Sequence, residues 1–95
     1  MGTATAARTW RNKRTWTILF DGSGVSTLDN AVVTHGFVGI TAPNSQLILT
    51  GRYTSIIPYG SYPLVMTATN TQATIRGEGA QTAVFCVEKV HSISG

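Results

Sequence analysis

The sequence predicts an all-β fold: a single small antiparallel β-sandwich or barrel of about six to seven strands, preceded by an N-terminal extended arm. Three observations carry this. From Trp16 onward, short segments rich in Val, Ile, Thr, Tyr and Phe alternate with Gly, Asn, Pro and Ser. No stretch of eleven or more residues carries an i, i+3, i+4, i+7 apolar stripe. The 95 residues bury about two-thirds of their extended surface, which supports one modest core and no second domain.

Residues 1–14 read as the arm. They hold Arg8, Arg11, Lys13 and Arg14 and no acid, whereas the remainder of the chain holds three bases and four acids. The net charge of +3 is thus a property of the arm. An Ala/Thr/Arg segment without a core-forming pattern is expected to lie on a neighbouring chain.

Residues 15–95 form the expected body, with strands near 15–20, 31–40, 46–54, 63–69, 72–77 and 82–90. Asp21-Gly22-Ser23-Gly24, Ala42-Pro43-Asn44-Ser45, the loop from Pro58 to Pro63, Asn70-Thr71 and Gly77-Glu78-Gly79 supply turn residues between them. Thr27–Val32 is the only stretch suited to a single helical turn. In strand 46–54, Leu47, Leu49, Gly51 and Tyr53 share one face, and Ile48, Thr50, Arg52 and Thr54 share the other. Strand 82–90 is apolar on both faces at its centre, through Val84 and Cys86 on one side and Ala83, Phe85 and Val87 on the other. Gly36, Gly39 and Gly51 within strands indicate bulges or the close approach of another backbone.

Only 12% of the residues are charged, against about 25% in a typical soluble domain. Thr (15) and Ser (7) fill much of the gap. Few charges together with apolar residues on both strand faces predict that part of the surface is covered by another subunit or partner.

Several classes of function find no support. The single cysteine, Cys86, forms no internal disulfide. No apolar run approaches the ~20 residues needed to span a bilayer, and the N-terminus lacks the apolar core of a signal peptide. Asp21-Gly22-Ser23 has the wrong order for the Asp-Thr/Ser-Gly of aspartic proteases, so a turn explains it. His35, His91, Cys86, Glu88 and Asp29 show no metal-ligand spacing, and Gly77-Glu78-Gly79-Ala80 lacks the third glycine of a dinucleotide fingerprint. His35 reads as a structural histidine and Cys86 as a buried thiol with no basic neighbour to activate it. No enzyme, cofactor or metal is expected.

The one constellation with a binding chemistry is Arg8-Thr9-Trp10-Arg11-Asn12-Lys13-Arg14-Thr15-Trp16. Cations interleaved with tryptophan suit phosphates and bases, and equally suit an acidic protein surface, since Trp and Arg are enriched at binding hot spots. Trp16 is expected in the core. Arg8, Trp10, Arg11, Lys13 and Arg14 are the expected partner-binding residues.

The whole-chain style, with β-segments such as Leu47-Ile48-Leu49-Thr50-Gly51 and Ala73-Thr74-Ile75-Arg76-Gly77, resembles the small virion structural proteins of tailed bacteriophages, most of all head decoration (cement) proteins. The resemblance implies a non-enzymatic homo-oligomer, often a trimer. It would be made in the host cytoplasm and placed on the virion, where its terminal arm pins the major capsid protein. Connector and fibre-base subunits look similar at this level. The alternative is a small OB-like barrel binding single-stranded nucleic acid.

Overall fold

The computed structural model describes residues 2–21, 28–54 and 62–90. They form an all-β sandwich: β1 (Thr3–Thr9), β2 (Lys13–Leu19), β3 (Leu28–Thr34), α1 (Pro43–Gln46), β4 (Leu47–Tyr53), β5 (Val65–Ala68), β6 (Gln72–Glu78) and β7 (Thr82–Lys89). The strands make a four-stranded sheet in the order β1-β2-β7-β4 and a three-stranded sheet in the order β3-β6-β5. Every pairing is antiparallel.

Alternation along each strand builds the core. Trp16, Ile18 and Phe20 follow β2 inward, Ala83, Phe85 and Val87 do so from β7, and Ala31, Val33, Ala73 and Ile75 face them from the smaller sheet. Side chains of the opposite parity cover the outside, among them Thr15, Thr17 and Leu19 on β2. These lie across from Cys86, Val84 and Thr82 of β7. Leu47 is buried, Leu49, Gly51 and Tyr53 are half-buried, and Ile48, Thr50 and Arg52 are exposed, as the sequence predicts.

At Gly51 and Gly77 the two sheets pack with little room for a side chain. A Cβ at Gly51 would stand 3.0 Å from the Met66 sulfur and 3.1 Å from Ile75 Cδ1, and one at Gly77 would stand 2.6 Å from Phe20 Cε2. What Gly51 admits is therefore not another backbone but side chains of its own chain, those of Met66, Ile75 and Leu64. Gly36 and Gly39 adopt positive φ, which ends β3 at Thr34 instead of letting it run to residue 40.

Three expectations are corrected. Residues 3–9 are not part of a separate arm: β1 pairs with β2 from Thr3↔Leu19 to Thr9↔Arg14, so the expected boundary after residue 14 falls inside β2. The segment expected on a neighbouring chain lies on its own sheet. Residues 28–32 belong to β3 because Ala31 and Val33 alternate inward. Among the described residues the one short helix is instead Pro43–Gln46, with proline in its first turn. Its side-chain anchor is the Gln46 carbonyl oxygen, which accepts the Thr41 and Ala42 N–H groups at 2.8 and 2.7 Å. Residues 22–24 of the expected Asp21 turn and residues 58–61 of the proline loop lie outside the described residues.

Candidate functional site

The candidate site is the end of the sandwich formed by the β1–β2 turn. Trp10 N–H donates to the Lys13 carbonyl at 2.7 Å, which closes the turn over Arg11 and Asn12. The Asn12 carbonyl accepts the Lys89 N–H, also at 2.7 Å. The hairpin tip is thereby fastened to the last residue of β7 and does not swing free.

Trp10 is 42% exposed. Its ring has Arg8 Cζ and Lys13 Nζ each 5.5 Å from its centroid. Each such contact contributes about 0.5–1 kcal/mol at an exposed site. Together they hold a large aromatic face in one orientation before any partner arrives, which lowers the entropic cost of docking. Arg11 is exposed at the turn. Lys89 reaches the same end and donates to the Val38 carbonyl at 3.4 Å. Val38, 81% exposed, sits beside positive-φ Gly39.

Arg14, also expected to bind a partner, has another role. Its guanidinium lies 4.1 Å from the Phe37 ring centroid and donates to the His35 carbonyl. Alternation places it on the inward side, in line with Trp16 and Ile18. It links the larger sheet to the chain that leaves β3. The five residues thus divide: Arg8, Trp10 and Arg11 are exposed at the tip with half-buried Lys13 against the Trp10 ring, and Arg14, also half-buried, points the other way, onto Phe37.

His35 is fully buried and satisfied within the fold. Nδ1 accepts the Phe37 N–H at 3.1 Å, so Nε2 carries the proton and donates to the Thr69 carbonyl at 3.1 Å. The His35 N–H reaches the Thr71 carbonyl at 3.2 Å, and the His35 and Phe37 rings stack with centroids 5.7 Å apart. Cys86, expected as a buried thiol without a basic neighbour, is instead half-buried on the outer face of β7, in a shallow depression with Thr50, Arg52 and Val84. Asp21 is exposed, and its N–H donates to Asp29 at 2.6 Å. Among the described residues no three His, Cys, Asp or Glu side chains gather in a way that could hold a metal, and no helix is long and apolar enough to cross a membrane.

The acid Glu88 lies at the basic end, across from Lys13, while the opposite end carries the acids Asp21, Asp29 and Glu78. There the Tyr53 hydroxyl donates to the Tyr62 carbonyl at 2.8 Å and accepts the Glu78 N–H at 2.9 Å. Burial raises the Tyr53 pKa above the ordinary phenol value, the Glu78 N–H bond lowers it and the nearby Glu78 charge raises it, for a net upward shift.

Sequence reasoning missed Lys89 and Val38 as members of the basic end. They come from distant parts of the chain, and only the antiparallel pairing of β2 with β7 brings Lys89 there. In comparison with known proteins, no family model matches this chain, and neither a curated protein nor a solved structure matches it.

Proposed function

We propose that this chain is a non-enzymatic structural protein that oligomerises and anchors on a viral capsid shell through its basic hairpin end. The observation that carries this reading is Trp10, exposed and bracketed by Arg8 and Lys13 with Arg11 beside it. A rigid aromatic ringed by cations fits an acidic protein surface with an apolar recess. Exposed Leu19 and Ile48 on the larger sheet, and Leu28, Val32 and Val65 on the smaller, support burial against further subunits. The phage decoration class comes from the whole-chain resemblance.

The test is cosedimentation of the chain with empty tailed-phage capsids stripped of their decoration protein. Trp10→Ala is expected to weaken binding at least tenfold, or about 1.4 kcal/mol, and Arg11→Glu to weaken it further as salt falls. Binding unchanged by Trp10→Ala would overturn the anchor. A steeply salt-dependent affinity for a single-stranded oligonucleotide, with no capsid binding, would replace it by a nucleic-acid role.

A further inference from the structure

We infer that Val38, with the Lys89 ammonium against its carbonyl, is a second docking point at the basic end, and that the partner surface there is acidic and carries two apolar recesses, one for Trp10 and one for Val38. The inference rests on the capsid-anchor reading and adds to it the contact that fixes orientation.

Val38 is 81% exposed, and a lone exposed valine is ordinary on a protein surface. What sets this one apart is how firmly the chain holds it out. Gly36 and Gly39 flank the Phe37-Val38 pair, and both take positive φ, 74° and 73°. Phe37 is buried, with the Arg14 guanidinium over its ring and its N–H on His35 Nδ1. On the other side the Gly39 carbonyl accepts from Gln46 Nε2 at 3.5 Å, and Gln46 Oε1 accepts the Thr41 and Ala42 N–H groups. The backbone is thus tied both before and after Val38. Its side chain stands on a fixed support, so docking it orders little further.

Lys89 gives this valine the setting that Trp10 has between Arg8 and Lys13. Lys89 Nζ donates to the Val38 carbonyl at 3.4 Å, and an ammonium has further N–H groups to offer a carboxylate. The Lys89 backbone N–H bonds the Asn12 carbonyl at 2.7 Å, which joins this second point to the hairpin turn. Trp10 belongs to the hairpin of the larger sheet, and Val38 to the segment that leaves the smaller one. A partner that takes both straddles the end of the sandwich and cannot swivel about a single ring.

Charge sets the chemistry of that partner. Arg8, Arg11, Lys13, Arg14 and Lys89 lie at this end, against the single acid Glu88 across from Lys13. That excess of cations is complementary to an acidic surface. A single-stranded nucleic acid would also use the cations and the Trp10 face, but it offers an aliphatic valine no stacking partner.

The experiment is cosedimentation with the same stripped, empty capsids at two salt concentrations. It compares the wild type with Trp10→Ala, Val38→Ser, Lys89→Gln and the Trp10→Ala/Val38→Ser double variant, and far-UV circular dichroism checks that each one folds. Val38→Ser is expected to weaken binding about tenfold, the size of exposing one buried valine side chain, with the salt dependence unchanged. Lys89→Gln is expected to weaken binding and flatten its salt dependence. The double variant is expected to lose the product of the two separate factors. Val38→Ser binding as the wild type does, or a double variant no weaker than Trp10→Ala, would overturn the second docking point and leave the Trp10 anchor standing. Loss at Val38→Ser with none at Trp10→Ala would overturn the hairpin anchor and the two-point grip with it. A wild type that does not sediment with capsids would overturn the capsid reading and both contacts together.

Discussion

The Arg14 guanidinium carbon lies 4.1 Å from the centroid of the Phe37 ring, and the same guanidinium donates to the carbonyl of His35. One side chain from the larger sheet therefore fixes both the ring and the backbone of the segment that follows β3. Arg14→Ala is expected to destabilise the fold by about 2 kcal/mol, from the lost charged hydrogen bond and the lost ring contact. Arg14→Lys is expected to recover little, because a point charge cannot stack flat on the ring while reaching the carbonyl. Arg11→Ala, at the exposed turn, is expected to stay within about 0.5 kcal/mol. Urea denaturation of the three variants checks the contrast.

His35 ties the segment after β3 to the turn between β5 and β6 at that same end, through Phe37, Thr69 and Thr71. His35→Ala is expected to cost about 2–4 kcal/mol, since it opens a cavity and leaves the Phe37 N–H and Thr69 carbonyl without their partner. Thermal unfolding followed by circular dichroism measures the loss.

Gly77 is required for its size. A Cβ there would stand 2.6 and 2.7 Å from Phe20 Cε2 and Cζ and 2.8 Å from Leu64 Cδ2. Gly77→Ala is expected to cost about 1–3 kcal/mol by overpacking. Adding Phe20→Leu should cost less in that background than in the wild type, because the two positions share one space. A double-mutant cycle reads the coupling.

Tyr53 predicts an alkaline limit. Its pKa is raised in the folded state, with burial the leading cause, so folding favours the neutral phenol. That contribution to stability is present in full below the unfolded phenol pKa of about 10. It is lost as pH rises through the higher folded value. Tyr53→Phe is expected to flatten the fall in stability at high pH while lowering stability at neutral pH, because the Glu78 N–H and the Tyr62 carbonyl lose a partner. Denaturation curves collected across the alkaline range test both parts.

The strands that bury a face were legible. Leu47, Leu49, Gly51 and Tyr53 share a parity in the sequence and face the core together, and Trp16 sits in the core as its flanking β-segment indicates. β1 was illegible because little of it is buried. Ala4 alone packs against the core, and hydrogen bonds to β2 hold the rest, which leaves no apolar alternation to read. Arg14 carries the same charge as Arg11 and Lys13, yet its parity with Trp16 and Ile18 already separated it from them. Asp29 and Asn30 are poor strand formers, which concealed the start of β3. In the structure, pairing with Gly77 and Arg76 places them in the sheet.

The sheet order β1-β2-β7-β4 also governs when the molecule can fold as it is synthesised. Trp16 and Phe85 face each other across β2 and β7, near opposite ends of the sequence. The β1–β2 hairpin is synthesised before β7 and has no inner neighbour in its sheet until β7 has followed. Folding is therefore expected to wait for translation of β7 and then to proceed on the millisecond-to-second scale typical of non-local all-β domains. Throughout that interval the nascent hairpin exposes Trp16 and Ile18, so chains truncated before β7 should depend on chaperones in a way that chains containing β7 do not.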